Sequence, residues 1–87
     1  MFKKRRGIKI PYNRQGLIHF TCVNYRDLPD EVVRKITRMC DDIGKEHALV
    51  LFEVVTNDNK SIRALAMEYH ISESQLYLYR KRFYEAW

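Results

Sequence analysis

Most of the chain after residue 26 follows the apolar rhythm of α-helices. In the first such stretch, apolar residues recur at three- and four-residue steps: Val32, Val33, Ile36, Met39, Cys40 and Ile43. Pro29 and the acidic residues around it are typical of a helix start, and Gly44 is well placed as the C-terminal cap. This pattern predicts one amphipathic helix with a single apolar stripe.

The next stretch, residues 46–56, is apolar on nearly every side. Its three valines are compatible with a buried strand. Ala48, Leu51 and Val55 follow helical spacing, however, and this spacing favours a central buried helix. The polar run that starts at Thr56 ends this element and provides a cap for the one that follows.

Residues 60–82 contain two short helical patterns that are joined by a tight turn. The small side chain of Ala66 lies in the first pattern, where two helices must cross closely. His70 follows at the turn, where a left-handed residue is common and where His is tolerated better than a branched residue. Ser72 then caps the second helix, and Gln75 completes a capping box with it. This arrangement is typical of a helix-turn-helix.

The second helix of this motif divides into an apolar face and a polar face. Leu76, Tyr79 and Phe83 recur on the inner face. The other face carries groups that can bind base edges, thymine methyl groups or phosphates in a major groove. The groove-facing residues are Ser74, Gln75, Tyr77, Leu78, Lys81 and Arg82. This helix is therefore the predicted DNA-recognition helix.

Residues 7–26 have a different pattern. Apolar residues occupy alternate positions on both sides of a polar tetrad that ends at Gly16, first at 8, 10 and 12 and then at 18, 20 and 22. This two-residue period predicts a β-hairpin. Pro11 cannot donate to a strand ladder, so the first strand is expected at a sheet edge. Because an isolated hairpin is only marginally stable, we expect it to pack on the helices or on a second subunit.

Residues 1–6 form a short basic arm that contains Lys3, Lys4, Arg5 and Arg6. As a frayed terminus it would serve solubility alone. Beside a DNA-binding helix it would lie on phosphates or enter a minor groove. Both ends of the chain are basic, since residues 1–16 carry six basic residues and no acid, and residues 60–87 carry five basic and three acidic residues. A polyanion that contacts both ends would account for this distribution.

A resemblance to a known family extends over the C-terminal half of the chain. The helix-turn-helix of sigma-factor region 4 and related regulators is similar to the run HALVLFEVVTNDNKSIRALAMEYHISESQLYLYRKRF. In that family a buried helix precedes the motif, an alanine lies in the first helix, and an Ile-Ser-Glu-Ser-like turn opens the recognition helix. Small regulators and terminase small subunits of phages and other mobile elements carry similar modules. The resemblance implies DNA contacts at Ser72, Ser74, Gln75, Tyr77, Lys81 and Arg82.

Enzymatic and metal-binding functions find no support in the sequence. The histidines are scattered, and the chain has no HExxH, no paired-cysteine metal spacing and no Gly-rich phosphate loop. Cys22 and Cys40 are interpreted as small core or boundary residues. No apolar run reaches membrane-spanning length, and no signal-peptide pattern follows the basic terminus. We therefore expect a soluble, cytoplasmic protein that is not an enzyme and needs no cofactor.

The sequence thus predicts a mainly α protein with an N-terminal β-hairpin, followed by a four-helix domain (27–87) with the helix-turn-helix at its C-terminal end. The predicted function is sequence-specific binding of duplex DNA, in a transcriptional or DNA-processing regulator of a phage or mobile element. A homodimer, and a protein partner such as RNA polymerase, are compatible with this function. The alternative is a protein-interaction module whose partner surface is formed by aromatic residues of the C-terminal helix: Tyr77, Tyr79, Phe83, Tyr84 and Trp87.

Overall fold

A computed structural model describes Arg5 and residues 7–87 of the chain. The described residues form five α-helices: α1 (Tyr12–Val23), α2 (Asp30–Gly44), α3 (Ala48–Thr56), α4 (Ile62–Tyr69) and α5 (Glu73–Ala86). Short 3-10 helices at Tyr25–Asp27 and Lys45–His47 precede α2 and α3. Helix α3 contacts each of the other four helices. The apolar stretch of the sequence is therefore a central helix and not a strand.

The β-hairpin predicted for residues 7–26 is wrong, because the described part of the chain contains no strand. The second predicted strand lies inside α1. Gln15, Ile18 and Cys22 are fully buried at three- and four-residue steps, whereas Phe20 is 57% exposed. The alternating pattern was misleading because a buried glutamine interrupts the helical apolar stripe and an exposed phenylalanine imitates a strand position.

The described residues before α1 form no helix or strand, and the side chain of Gln15 holds them on the domain. The Gln15 Nε2 group donates to the backbone oxygens of Ile8, at 3.3 Å, and Ile10, at 3.1 Å. Its Oε1 atom accepts a hydrogen bond from the backbone N–H of Arg5 at 2.9 Å. The buried amide of Gln15 thus has partners for both its donor and its acceptor. Hydrogen bonds from one side chain, and not a ladder between two strands, therefore satisfy these backbone groups.

The four helices predicted after residue 26 correspond to α2, α3, α4 and α5. The C-terminal cap predicted at Gly44 lies one residue later, at Lys45, which has φ 52° and ψ −115°. Gly44 itself is the last residue of α2 and is buried. A Cβ atom at this position would lie 3.3 Å from Cδ2 of Leu51, so the glycine permits α2 and α3 to approach closely.

The core draws on all five helices. Its fully buried side chains include one from each helix: Ile18, Ile36, Leu51, Leu65 and Phe83. Cys22 and Cys40 are buried free thiols in this core, as predicted, and burial raises the pKa of each to about 12. Among the described residues, no helix has the length and apolar character that crossing a membrane requires.

Candidate nucleic-acid interface

Helices α4 and α5 are joined by a turn of three residues that begins at His70. His70 has the left-handed conformation expected for this turn, with φ 55° and ψ 44°. The backbone N–H of Ile71 donates to the carbonyl oxygen of Ala66 at 3.0 Å, which satisfies one of the last carbonyls of α4. The turn thus ends α4 abruptly and directs the chain into α5.

Serine side chains cap the N-termini of both helices. Ser61 Oγ accepts a hydrogen bond from the backbone N–H of Ala64 at 3.1 Å, and α4 begins directly after it. Ser72 Oγ accepts from the backbone N–H of Gln75, also at 3.1 Å, which is the cap predicted for α5. Caps of this kind stabilise a helix by about 1 kcal/mol. The two serines therefore fix where each helix of the motif starts.

The inner face of α5 belongs to the core. Leu76 and Phe83 are fully buried, and Tyr79 is almost so, as the three- and four-residue spacing predicted. Helix α5 contacts α2, α3 and α4 through this face. The central helix α3 therefore packs against both helices of the motif, and the opposite face of α5 is directed towards solvent.

Four of the seven predicted contact residues of α5 are exposed on this outer face: Ser74, Tyr77, Leu78 and Arg82. Tyr77 is 49% exposed and Leu78 is 42% exposed. The ring of Tyr77 also lies 5.1 Å from the guanidinium of Arg80. The outer face thus combines a hydroxyl group, a guanidinium and two large side chains with apolar surface.

The other three predicted contacts already have partners within the protein. Ser72 caps α5. Gln75 is half-buried and its Nε2 donates to the Tyr79 hydroxyl at 2.9 Å, instead of completing the capping box that was predicted. Lys81 forms an ion pair with Glu85 at 3.1 Å. Each of these groups would have to share or exchange a contact in order to bind DNA.

The polar contact of Gln75 continues into the domain. The Tyr79 hydroxyl lies 2.8 Å from Nδ1 of His47, in the turn before α3. This chain of three side chains joins α5 to the turn before the central helix. It was not predicted, because His47 is far from Gln75 and Tyr79 in the sequence and meets them only in the fold.

The predicted basic arm is described only at Arg5; Lys3, Lys4 and Arg6 lie outside the described residues. The Arg5 side chain packs against the domain, and its Nε atom donates to the Tyr84 hydroxyl at 3.4 Å. Its terminal nitrogen Nη2 lies 3.3 Å from Nδ1 of His19. Arg5 therefore lies between α1 and α5, on the flank of the predicted recognition helix.

Most of the aromatic residues near the C-terminus are structural. Tyr79, Phe83 and Tyr84 are buried in the core. Trp87 packs on the ring of Phe83, with ring centroids 5.9 Å apart. Of the five aromatic residues considered as a partner surface, Tyr77 alone is largely exposed. They therefore serve packing better than they would serve a protein-binding surface.

In the part of the chain that the structure describes, no group of three or more His, Cys, Asp and Glu side chains is placed to hold a metal ion. Comparisons with protein-family models, with curated proteins and with solved structures gave no match to this chain. Function is therefore inferred from the side chains and the geometry of α4 and α5.

Proposed function

We propose that this protein binds duplex DNA sequence-specifically, with α5 in the major groove, as a transcriptional or DNA-processing regulator of a phage or mobile element. The observation that carries the proposal is the division of α5 into a buried inner face and an exposed polar outer face. Such a helix, held at a fixed angle by a short turn and a preceding helix, is how helix-turn-helix proteins present side chains to base edges.

The exposed groups of α5 suit the chemistry of a major groove. Ser74 can donate to or accept from base edges, and Arg82 can bind guanine or a phosphate. Tyr77 and Leu78 offer apolar surface to thymine methyl groups. A face of this composition can both position the protein on the duplex and distinguish between base pairs.

The internal contacts of Lys81 and Gln75 do not oppose this role. An exposed ion pair such as Lys81–Glu85 contributes only about 0–1 kcal/mol, so Lys81 can exchange it for a phosphate at little cost. Gln75 uses its nitrogen on Tyr79 and keeps its amide oxygen as an acceptor for a base. Both side chains therefore remain available to the duplex.

A homodimer is part of the proposal, because two-fold helix-turn-helix dimers read half-sites about one helical turn apart. Leu17 and Phe20 on α1 are exposed apolar side chains that could serve such an association. Contact with a protein such as RNA polymerase, and a cytoplasmic location where DNA is accessible, also belong to the proposal. Light scattering during size-exclusion chromatography, with and without duplex, measures the oligomeric state directly.

The first test replaces Lys81 and Arg82 together with alanine. We expect weaker binding to every duplex and a slope of log affinity against log salt that is reduced by about 2, because each phosphate contact releases about one counterion. Fluorescence anisotropy of labelled duplexes over a range of salt concentrations measures both quantities. The overall net charge changes as well, so a control of equal charge is needed.

The matched control is the double substitution Arg34→Ala and Arg38→Ala on α2. Both arginines are exposed and lie four residues apart, so their replacement removes the same charge from a different helix. We expect a smaller loss of affinity and an almost unchanged salt slope. Equal losses in the two double variants would mean that net charge, and not the outer face of α5, attracts the duplex.

A further inference from the structure

A small polar cavity of about 160 Å³ lies between α1, the link before α4, and α5. The charged and polar side chains in its wall include Arg5, His19, Asp58, Lys60, Ser61 and Arg80. A cavity of this volume is sufficient for a phosphate group.

The guanidinium of Arg80 is the most unusual group in this wall. Its Nε atom is buried and has no hydrogen-bond partner among the described residues. Burial, together with the nearby charge of Arg5, lowers the pKa of Arg80 to about 10. Buried donors are almost always paired in folded proteins, so this N–H group requires an acceptor that the described side chains do not supply.

Among the described residues, the wall around Arg80 carries more basic than acidic side chains. Arg5 is a second guanidinium in the same wall, bonded to His19. The acid in the wall is Asp58, whose carboxylate lies 3.6 Å from Nε2 of His19 and whose side chain is 63% exposed. The ammonium of Lys60 is paired with Glu68 outside the cavity wall and therefore does not count towards the excess.

The start of α4 adds to the positive potential of the cavity. Ser61, the N-cap of α4, and Ile62, its first helical residue, both lie in the wall. The first N–H groups of a helix have no intrahelical acceptor, and the helix dipole makes this end favourable to anions. The buried guanidinium of Arg80 and the N-terminus of α4 thus border the same small space.

We propose that this cavity binds a phosphate group, with the guanidinium of Arg80 as its main ligand and with Arg5 and Ser61 as further donors. A planar guanidinium can give two parallel hydrogen bonds to phosphate oxygens. The proposal does not rest on DNA binding, since the phosphate could be inorganic phosphate, a phosphomonoester or a phosphodiester of a bound duplex. Asp58, as a carboxylate at the rim, opposes the anion and limits its affinity.

Inorganic phosphate is the probe for the first experiment. The ¹⁵N-labelled protein is titrated with sodium phosphate at constant ionic strength maintained with sodium chloride, and the arginine Nε–H resonances are followed by NMR. We expect a saturable shift of the Arg80 Nε–H resonance in the millimolar range. Sodium chloride alone should not produce it. A shift that does not saturate, or that chloride reproduces, would overturn the proposal.

Variants then locate the site. Arg80→Gln is expected to weaken phosphate binding by about tenfold or more, because a charge-assisted hydrogen-bond donor is lost. Arg38→Gln removes the same charge from an exposed position on α2 and is expected to leave phosphate binding unchanged. Equal weakening in both variants would contradict the proposal. If Arg80→Gln does not fold, as judged by circular dichroism, two measurements still test the proposal. The first is the shift of the Arg80 Nε–H resonance in the wild-type protein. The second is phosphate binding by Arg80→Lys, which lacks the donor geometry of a guanidinium.

A third step identifies the source of the phosphate. A duplex that binds the protein is added to the phosphate-loaded sample. Displacement of phosphate from Arg80 assigns the cavity to a backbone phosphodiester, whereas retention assigns it to free phosphate or a phosphomonoester; either result supports a phosphate site. If no duplex binds, the proposed DNA-binding function fails while the phosphate titration still tests the cavity independently.

Discussion

At the residue scale, His70 determines how the two helices of the motif meet. Its left-handed backbone, with φ 55° and ψ 44°, turns the chain between α4 and α5. A residue with a Cβ atom is less stable in this conformation than glycine by roughly 1–2 kcal/mol. His70 therefore keeps a strained position in the centre of the proposed DNA-binding unit.

Replacing His70 with glycine is expected to raise the free energy of unfolding by up to about 1 kcal/mol, since relief of the left-handed strain exceeds the extra entropy of the unfolded glycine. His70→Val is expected to lower it, because a branched side chain tolerates this conformation least. Urea unfolding followed by circular dichroism measures both changes. A glycine variant that is less stable than the valine variant would contradict the left-handed assignment.

His19 should make stability depend on pH. Burial lowers its pKa below the ordinary value of 6.5, and Arg5 and Arg80 lower it further, while Asp58 acts in the opposite direction. The folded protein therefore binds a proton at His19 less readily than the unfolded chain does. The stability contributed by neutral His19 is fully present above pH 6.5 and is lost as the pH falls through the lower pKa of the folded state.

The variant His19→Gln tests this dependence. We expect wild-type stability to decrease more steeply than that of the variant as the pH is lowered below 6.5. Urea midpoints at a series of pH values give the comparison, and the difference between the two proteins excludes contributions from other titrating groups. Parallel curves for the two proteins would show that His19 has an ordinary pKa in the folded state.

At the element scale, the helices that the sequence predicted are those whose buried side chains are apolar, apart from Thr56 at the end of α3. In α2, the buried residues Ile36 and Cys40 lie on one apolar stripe. In α5, the buried residues Leu76 and Phe83 also lie on one stripe, two turns apart. Ser72 marked the start of α5, whereas the cap of α4 is Ser61 and not a residue of the polar run 56–59 where it was predicted. Periodicity and capping are local properties, so a sequence reveals them before any tertiary contact is known.

Helix α1 could not be predicted in this way, because its buried stripe includes a polar side chain. Gln15 is fully buried, whereas Leu17 and Phe20 are exposed, which reverses the usual relation between polarity and burial. The reason is tertiary, since the Gln15 amide is satisfied by backbone groups of the segment that packs beside it. The pattern of polar and apolar residues alone therefore cannot predict that Gln15 is buried while Leu17 and Phe20 are exposed.

The importance of Gln15 for the N-terminal segment is testable. Gln15→Ala is expected to destabilise the fold by about 1–3 kcal/mol, because it leaves buried backbone groups without a partner. Hydrogen exchange should show faster exchange at Arg5, whose N–H group bonds to Gln15, than in the wild type. Arg14→Ala, at the exposed neighbouring position, serves as the control and should have little effect. Equal destabilisation by both substitutions would contradict the role of Gln15.

At the scale of the whole molecule, described residues that precede α1 contact the C-terminal part of α5, the proposed recognition helix. Arg5 donates to the hydroxyl of Tyr84, and the backbone N–H of Lys9 donates to Glu85 at 3.0 Å. Of the basic residues near the start of the chain, Arg5 and Lys9 thus lie beside α5. The cavity around Arg80 could not be predicted, since its wall combines residues that are far apart in the chain and near only in the fold.

The central claim is that the outer face of α5 binds duplex DNA. The most direct test selects duplexes from a random pool and follows the backbone amide resonances of the ¹⁵N-labelled protein as the best duplex is added. DNA recognition by α5 predicts saturable shifts that are largest at Ser74, Tyr77 and Leu78, with small shifts on the exposed face of α2. The failure to select any duplex, or shifts centred on another helix, would contradict it.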